Sequence, residues 1–95
     1  MVHLLEPLIL KNRQPKTIPI LWLENELGIA IDQIQSGEQI PLTEYFFWPK
    51  SDMWEQMRVE LRAKSWIPTK ERAQLLNATA TIMQQWQNSM NRTAK

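Results

Sequence analysis

The sequence predicts an α+β fold in which a two-stranded antiparallel β-hairpin packs against two antiparallel helices. Three observations lead to this fold class. Two short apolar segments flank a turn in the first half of the chain, and two helical stripes follow in the second half. The 95 residues are too few for two separate cores, because a chain of roughly 100 residues buries too little apolar surface. We therefore expect a single domain, residues 1–95, with an N-terminal arm and linker (1–17), a compact core (18–90) and a frayed tail (91–95).

The hairpin is predicted from residues 18–34. Ile18 to Leu23 is rich in Ile, Leu and Trp, and Ile29 to Ile34 alternates apolar and polar residues, as strands do. Between them, Asn25 and Gly28 are residues that tolerate a positive φ, which favours a turn. Residues 1–17 precede this hairpin as an apolar arm interrupted by Pro7 and then a polar linker. Residues 41–49 follow it as an aromatic connector bounded by prolines.

Two helices are predicted beyond Pro49. The first has Asp52 as its N-cap, with Glu55 three residues later as in a capping box, and runs to about Lys64. The second has Thr69 as its cap, follows Pro68, and ends near residues 87–90. Both carry apolar residues at helical spacing, namely Met53, Trp54, Met57 and Leu61 in the first, and Leu75, Leu76, Thr79, Ile82, Met83 and Trp86 in the second.

Composition argues against an enzyme. The chain has no cysteine, one histidine and two glycines, which excludes thiolate catalysis and leaves no thiol-ligated metal or glycine-rich phosphate loop. We expect no cofactor and no metal. A small hydrolase built on Glu24, Asp32 and Glu44 is the weakest of the function classes, because a solvated hairpin surface explains these carboxylates more simply. No apolar run approaches the roughly 20 residues that cross a bilayer.

Charge is unevenly distributed although the net charge is only +1. Residues 24–44 contain five acids and no base, whereas bases cluster between residues 50 and 72. The candidate phosphate-binding residues are Lys50, Arg58, Arg62, Lys64, Lys70 and Arg72. Because acids intersperse them, an ordinary solvated helix surface explains them equally well.

Two of the five tryptophans are candidate partner-binding residues. Trp48 and Trp66 lie in connectors bounded by prolines, where an aromatic side chain either anchors a loop to the core or stacks on a partner. Trp54 and Trp86 lie on the helical apolar stripes and are expected in the core.

With these segments assigned, the chain resembles plastid-specific ribosomal protein 3 from about Ile20 to Trp86. The resemblance depends on short segments, of which the aromatic block is the most specific: Leu21–Glu24, Ile29–Gln33, Pro41–Pro49, Asp52 with Trp54, Trp66–Ile67, Glu71–Arg72 and Leu75–Asn77. No general folding requirement dictates the order of the nine residues from Pro41 to Pro49.

The resemblance implies a non-catalytic structural component of the small ribosomal subunit, bound to ribosomal RNA and neighbouring ribosomal proteins and supporting translation. It implies a ribonucleoprotein of the cyanobacterial cytoplasm or the plastid stroma, and the chain's start has no feature of a signal or transit peptide. We expect a monomer in isolation that does not contact a membrane. The alternative is a soluble protein–protein adaptor that acts through the aromatic connector or the edge of the hairpin.

Overall fold

The structure, a computed structural model, describes the backbone of residues 3–10 and 15–93 and the side chains within residues 15–91. The chain divides into two compact units, Met1–Ser51 and Asp52–Lys95. In the described part, the first unit contains the strands and the second contains the helices, so the α+β class is as predicted. The elements are β1 (His3–Leu10), β2 (Lys16–Trp22), β3 (Leu27–Ile29), β4 (Asp32–Gln35), β5 (Glu38–Pro41), β6 (Phe46–Trp48), α1 (Met53–Ala63) and α2 (Thr69–Thr93).

Strand β2 organises the sheet. All its pairings are antiparallel, with β1 along one edge and with β3 and β4 along the other. Leu21 pairs with Gly28 of β3, and Lys16 pairs with Gln33 of β4, so β3 and β4 lie end to end beside β2. Strand β6 then pairs with β3, and β5 pairs with β4. Five strands follow the order β5-β4-β2-β3-β6, and β1 joins them through β2.

The predicted two-stranded hairpin is therefore wrong, because the described residues form a six-stranded sheet. One of the added strands is β1, which falls in the predicted arm. Its pairing with β2 shifts register between Leu5 and Leu8, on either side of Pro7. Proline lacks an amide hydrogen and is tolerated in strands at such irregularities. Pro7 thus interrupts the ladder of β1 without ending the strand.

Strand β5 was also unforeseen, and the predicted aromatic connector contributes a third unforeseen strand, β6, which pairs along β3. Gly28 makes this pairing compact, because a Cβ atom there would lie 2.8 Å from Cε1 of Phe47 and 3.2 Å from Cβ of Leu21. Gly28 is thus a strand residue needed for close packing and does not lie in the turn, which bends at residues 24–25 without a positive φ. Among the described residues, positive φ occurs at Ser36 (52°) and Gly37 (79°), which form the two-residue turn between β4 and β5.

The sheet unit is buried along consecutive residues. Residues 16–20 and 27–31 are all buried, so both faces of these stretches are shielded from solvent. Thr43 continues this buried region beyond β5. Its Oγ1 accepts a hydrogen bond of 3.0 Å from the amide nitrogen of Ile31, and the backbone nitrogen of Thr43 donates to the carbonyl of Ile31. A threonine thereby satisfies a buried amide that no strand partner reaches.

The first helix has the predicted cap. The Asp52 side chain accepts a hydrogen bond of 3.2 Å from the amide nitrogen of Glu55, which satisfies one of the orphan donors at a helix start. The buried residues of α1 are Met53, Met57 and Leu61, as the apolar stripe predicted. Trp54 is half-buried, and its Nε1 donates to the carbonyl of Leu76 at 3.3 Å. This bond joins α1 to α2.

The second helix begins at Thr69 and continues to Thr93, past its predicted end. Thr69 is its first helical residue, and the Thr69 hydroxyl accepts a hydrogen bond from the Arg72 side chain. The residues that it buries recur at helical spacing, namely Glu71, Leu75, Thr79, Ile82 and Trp86. Leu76 and Met83, predicted for the same stripe, are half-buried. No proline or glycine follows Pro68 in the sequence, so nothing in the backbone chemistry stops the helix earlier.

Candidate nucleic-acid interface

A groove between α1 and α2 brings together three of the six predicted phosphate-binding residues. Its volume is about 280 Å³. The residues that line it are Arg58, Leu61 and Arg62 from α1, and Thr69, Arg72, Ala73 and Leu76 from α2. In each helix these residues are spaced by three or four, so each set lies on one face. The groove thus combines an apolar floor with three guanidinium groups, and no carboxylate lines it.

Arg58 is held on the wall of the groove by Glu55. Its Nε donates to Oε1 of Glu55 at 2.9 Å, and its Nη2 donates to Oε2 at 2.5 Å. This two-pronged hydrogen bond lowers the pKa of Glu55 and raises the pKa of Arg58, each through the hydrogen bond first and the charge of its partner in addition. The charge of Arg58 is therefore balanced locally, and its guanidinium has a fixed orientation.

Arg72 and Arg62 retain charges that no acid balances in the described side chains. Nη2 of Arg72 donates to the Thr69 hydroxyl at 3.0 Å, and Nη1 donates to the Arg62 carbonyl at 3.5 Å. Both acceptors are neutral, so they orient Arg72 without compensating its charge. Arg62 is exposed, and no ion pair within residues 15–91 includes it. An exposed cation, Arg62, and an oriented one, Arg72, thus line the same groove.

The remaining three predicted basic residues lie outside this groove. Nζ of Lys64 is 3.0 Å from Oε1 of Glu60, and its side chain is only 14% exposed. Lys64 is thus engaged within α1. Lys70 is exposed near the start of α2, and it has no ion pair with any side chain that the structure describes. Lys50 is exposed but belongs to the sheet unit.

The two predicted partner-binding tryptophans differ in exposure. Trp66 lies in the loop between α1 and α2 and is 58% exposed, which is high for a large aromatic side chain. Trp48 is half-buried and lies in β6, where it pairs with Leu27. Trp86 is buried, as predicted.

The carboxylates proposed for a hydrolase have structural surroundings. Oδ2 of Asp32 accepts a hydrogen bond of 2.7 Å from Nε2 of Gln39 across the β4–β5 pair, and Glu24 and Glu44 are exposed. Asp32 also acts on the single tyrosine of the chain. Burial raises the pKa of Tyr45, and the negative charge of Asp32 raises it further. In the described part of the chain, no three His, Asp or Glu side chains are grouped as metal ligands would be.

The sequence predicts the arginines of the groove but not the apolar residues of its floor. The apolar stripe predicts Leu61 in the core, which is right because Leu61 is fully buried, but Leu76 is half-buried, and no pattern predicts a role for Ala73. A usable signal was present, because residues 69, 72, 73 and 76 have the spacing of one helical stripe. This stripe lies next to the stripe of α2 that contains Leu75. The first stripe lines the groove, and the second lies in the core.

The fold and the groove together define a class: a small α+β protein with a basic groove on its helices and no assembled set of catalytic groups in the part described. Among the described helices, none combines the length and hydrophobicity that crossing a bilayer requires. Comparison with known proteins gives the family. Residues 42–89 match the model of the family described as Plastid and cyanobacterial ribosomal protein (PSRP-3 / Ycf65).

Curated relatives agree with the family model. The chain is 50% identical over 68 residues to the "Probable small ribosomal subunit protein cS23" of Synechococcus sp. (strain JA-2-3B'a(2-13)), covering 72% of this chain and 69% of the relative. It is 46% identical over 78 residues to the "Small ribosomal subunit protein cS23" of Gracilaria tenuistipitata var. liui, covering 82% and 79%. Identity to the "Small ribosomal subunit protein cS23z" of Arabidopsis thaliana is 41% over 73 residues, covering 76% and 44%. The chain belongs to the plastid and cyanobacterial ribosomal protein family, as the resemblance predicted.

Proposed function

We propose that this chain is a non-catalytic structural component of the small ribosomal subunit and that it binds ribosomal RNA through its helical unit. The first part follows from the family, whose curated members are named small ribosomal subunit proteins of cyanobacteria and plastids. The chain therefore acts in translation, in the cyanobacterial cytoplasm or the plastid stroma. The protein–protein adaptor alternative is not favoured, because the relatives are ribosomal.

The observation that supports RNA as the direct partner is the convergence of Arg58, Arg62 and Arg72 on one groove. A ribosomal component of net charge +1 cannot rely on overall charge to attract a polyanion, so its attraction must be local. Arg62 and Lys70 are exposed and have no acid partner among the described side chains. Among the described bases of the helical unit, they are the ones that phosphates reach at the least cost.

Neighbouring ribosomal proteins are the second class of partner that we propose. Trp66, with 58% of its surface exposed, is the best candidate for that contact, because exposed tryptophans often anchor interfaces. Trp48 is a weaker candidate because its backbone pairs within the sheet. In isolation we propose a monomer.

The test of the RNA contact uses two double variants with the same change in net charge. Arg62→Gln with Lys70→Gln removes two cations from the basic surface. Gln85→Glu with Gln87→Glu adds two anions at exposed positions later in α2. Binding to small subunits that lack the protein is measured between about 50 and 200 mM salt.

We expect the first variant to bind more weakly and with a shallower salt dependence, by roughly 0.7 to 0.9 in the logarithmic slope for each phosphate that the variant no longer binds. The control should keep the parent's slope. Parental affinity and slope in the first variant would refute RNA binding by this surface, although membership of the small subunit would stand.

A further inference from the structure

The groove contains more apolar surface than phosphate binding requires. Phosphates are bound by charge and hydrogen bonds alone, and exposed lysines would suffice. Here, the apolar floor is presented by Ala73, which is exposed, and by Leu76, which is half-buried, whereas Leu61 lines the groove but is fully buried. A groove with an apolar floor and a cationic rim suits a ligand that has two neighbouring parts. One part is flat and apolar, and the other is anionic.

The dimensions of the groove limit the ligand. Its volume of about 280 Å³ lies below the range of roughly 300 to 1,000 Å³ typical of pockets for drug-sized molecules. One planar ring system fits such a space. Among RNA groups, that ring system is a single base that has left its stack.

Hydrogen bonds fix the side chains of two of the arginines. Arg58 is fixed by its two hydrogen bonds to Glu55, and Arg72 is oriented by Thr69 and by the carbonyl of Arg62. An oriented guanidinium offers a plane on which an unstacked base can lie. Arg62, exposed and without an acid partner in residues 15–91, remains available for the phosphate beside that base.

We propose that the α1–α2 groove binds one unstacked base of single-stranded ribosomal RNA, with its neighbouring phosphate at Arg62. The proposal rests on the RNA-binding function proposed above and specifies its ligand. With such a groove the protein recognises the conformation of the RNA, because sequence-specific and loop-specific RNA recognition relies on bases that are splayed out of the helix. An acidic protein segment is the competing occupant, and the absence of a stacking partner in such a segment makes it the poorer match.

The experiment fills the groove with a larger apolar side chain and leaves the net charge of the protein unchanged. Ala73→Leu places an additional side chain over the floor at an exposed position of α2, and Gln74→Leu adds the same side chain at the next exposed position, which does not line the groove. Leucine is a good helix former, so both variants should fold, and circular dichroism verifies this. Both are bound to small subunits lacking the protein, and ultraviolet crosslinking identifies what the groove contacts.

Ala73→Leu should weaken binding by about tenfold or more, since stacking of one base contributes that much, while the salt slope stays unchanged. Gln74→Leu should bind as the parent does. The parent should crosslink one nucleotide to the peptide containing residues 58–76, and Ala73→Leu should abolish that crosslink. Equal binding by both leucine variants, or a crosslink from the groove to a protein segment, would overturn the proposal. A shallower salt dependence in Arg62→Gln with Lys70→Gln would then still support phosphate binding, so the two proposals fail separately.

Discussion

The sheet unit and the helical unit bury their residues in different ways. In β2 and around β3, runs of five consecutive residues are buried. In α2, buried residues recur every third or fourth position and exposed ones lie between them. A strand covered on both faces has no side left for a partner, whereas a helix with one buried stripe keeps most of its circumference free. The basic groove accordingly lies on the helices.

The sheet unit and the helical unit also differ in charge. Acids of residues 24–44 lie in the sheet unit without a base among them, and the arginines of the groove lie in the helical unit. A polyanion approaching the protein is attracted to the helices and repelled by the β3–β5 region. The difference teaches that a nearly neutral chain can still carry a locally basic surface.

The largest expected effects come from truncating one buried side chain in each unit. Ile29→Ala in β3 and Leu75→Ala in α2 should each cost about 2 to 5 kcal/mol in the free energy of unfolding, because both side chains are fully buried. Leu76→Ala, one residue further, should cost under about 1.5 kcal/mol because Leu76 is half-buried beside the groove. Denaturant unfolding followed by tryptophan fluorescence measures all three. Equal costs at Leu75 and Leu76 would contradict the single buried stripe of α2.

A smaller effect tests the close packing of the sheet. Gly28→Ala should destabilise the protein by about 1 to 3 kcal/mol, because the added methyl group meets the ring of Phe47 at 2.8 Å. Replacing glycine by alanine in an extended strand without such a contact is usually stabilising, by about 0.4 to 1 kcal/mol. The sign of the change therefore decides whether this contact matters.

Phe47→Leu provides the control for the glycine substitution. In that background Gly28→Ala should cost much less, since the ring that it meets is gone. Gly37→Ala is the matched negative control: its φ of 79° strains alanine, but no atom lies within 4 Å of the added Cβ. Its cost should therefore be the same with Phe47 or Leu at position 47. An undiminished cost of Gly28→Ala beside Leu would contradict the contact.

The smallest expected effect is electrostatic and is confined to the sheet unit. Tyr45 should titrate above the ordinary tyrosine pKa of 10.0, chiefly because it is partly buried and additionally because of Asp32. The chain has one tyrosine, so tyrosinate absorbance near 295 nm reports this residue alone. Asp32→Asn should lower the midpoint part of the way, leaving the effect of burial. A midpoint at or below the ordinary value in the parent would contradict the placement of Tyr45.

The helical unit could be predicted from the sequence better than the sheet. Asp52, the stripe of α1 and the buried Trp86 follow from local rules of capping and periodicity. The sheet depended on which strands pair with which, and local patterns of capping and periodicity do not encode that choice. Strand β1 was not predicted because it contains Pro7, and β6 was not predicted because prolines flank residues 41–49. Proline ordinarily argues against a strand.

The candidate site was predictable in its charges but not in its shape. Arg58 and Arg62 share a face because they are four residues apart in one helix. Their meeting with Arg72 depends on how α1 and α2 pack, and the side-chain bonds of Arg72 to Thr69 and to the Arg62 carbonyl link residues up to ten apart. Lys64 looked equally suitable in sequence, but its ion pair with Glu60 engages it within α1.

The pairing of β2 with three strands has a kinetic consequence. Every described strand pairing joins residues close in sequence, the widest being Leu27 with Trp48, 21 residues apart. Loop closure over such short spans costs little entropy, and topologies rich in short-range contacts fold fast. The sheet unit ends at Ser51, so all of its strands have emerged from a translating ribosome before synthesis of the helices is complete. Its pairing can therefore begin during synthesis, ahead of the helices that carry the groove.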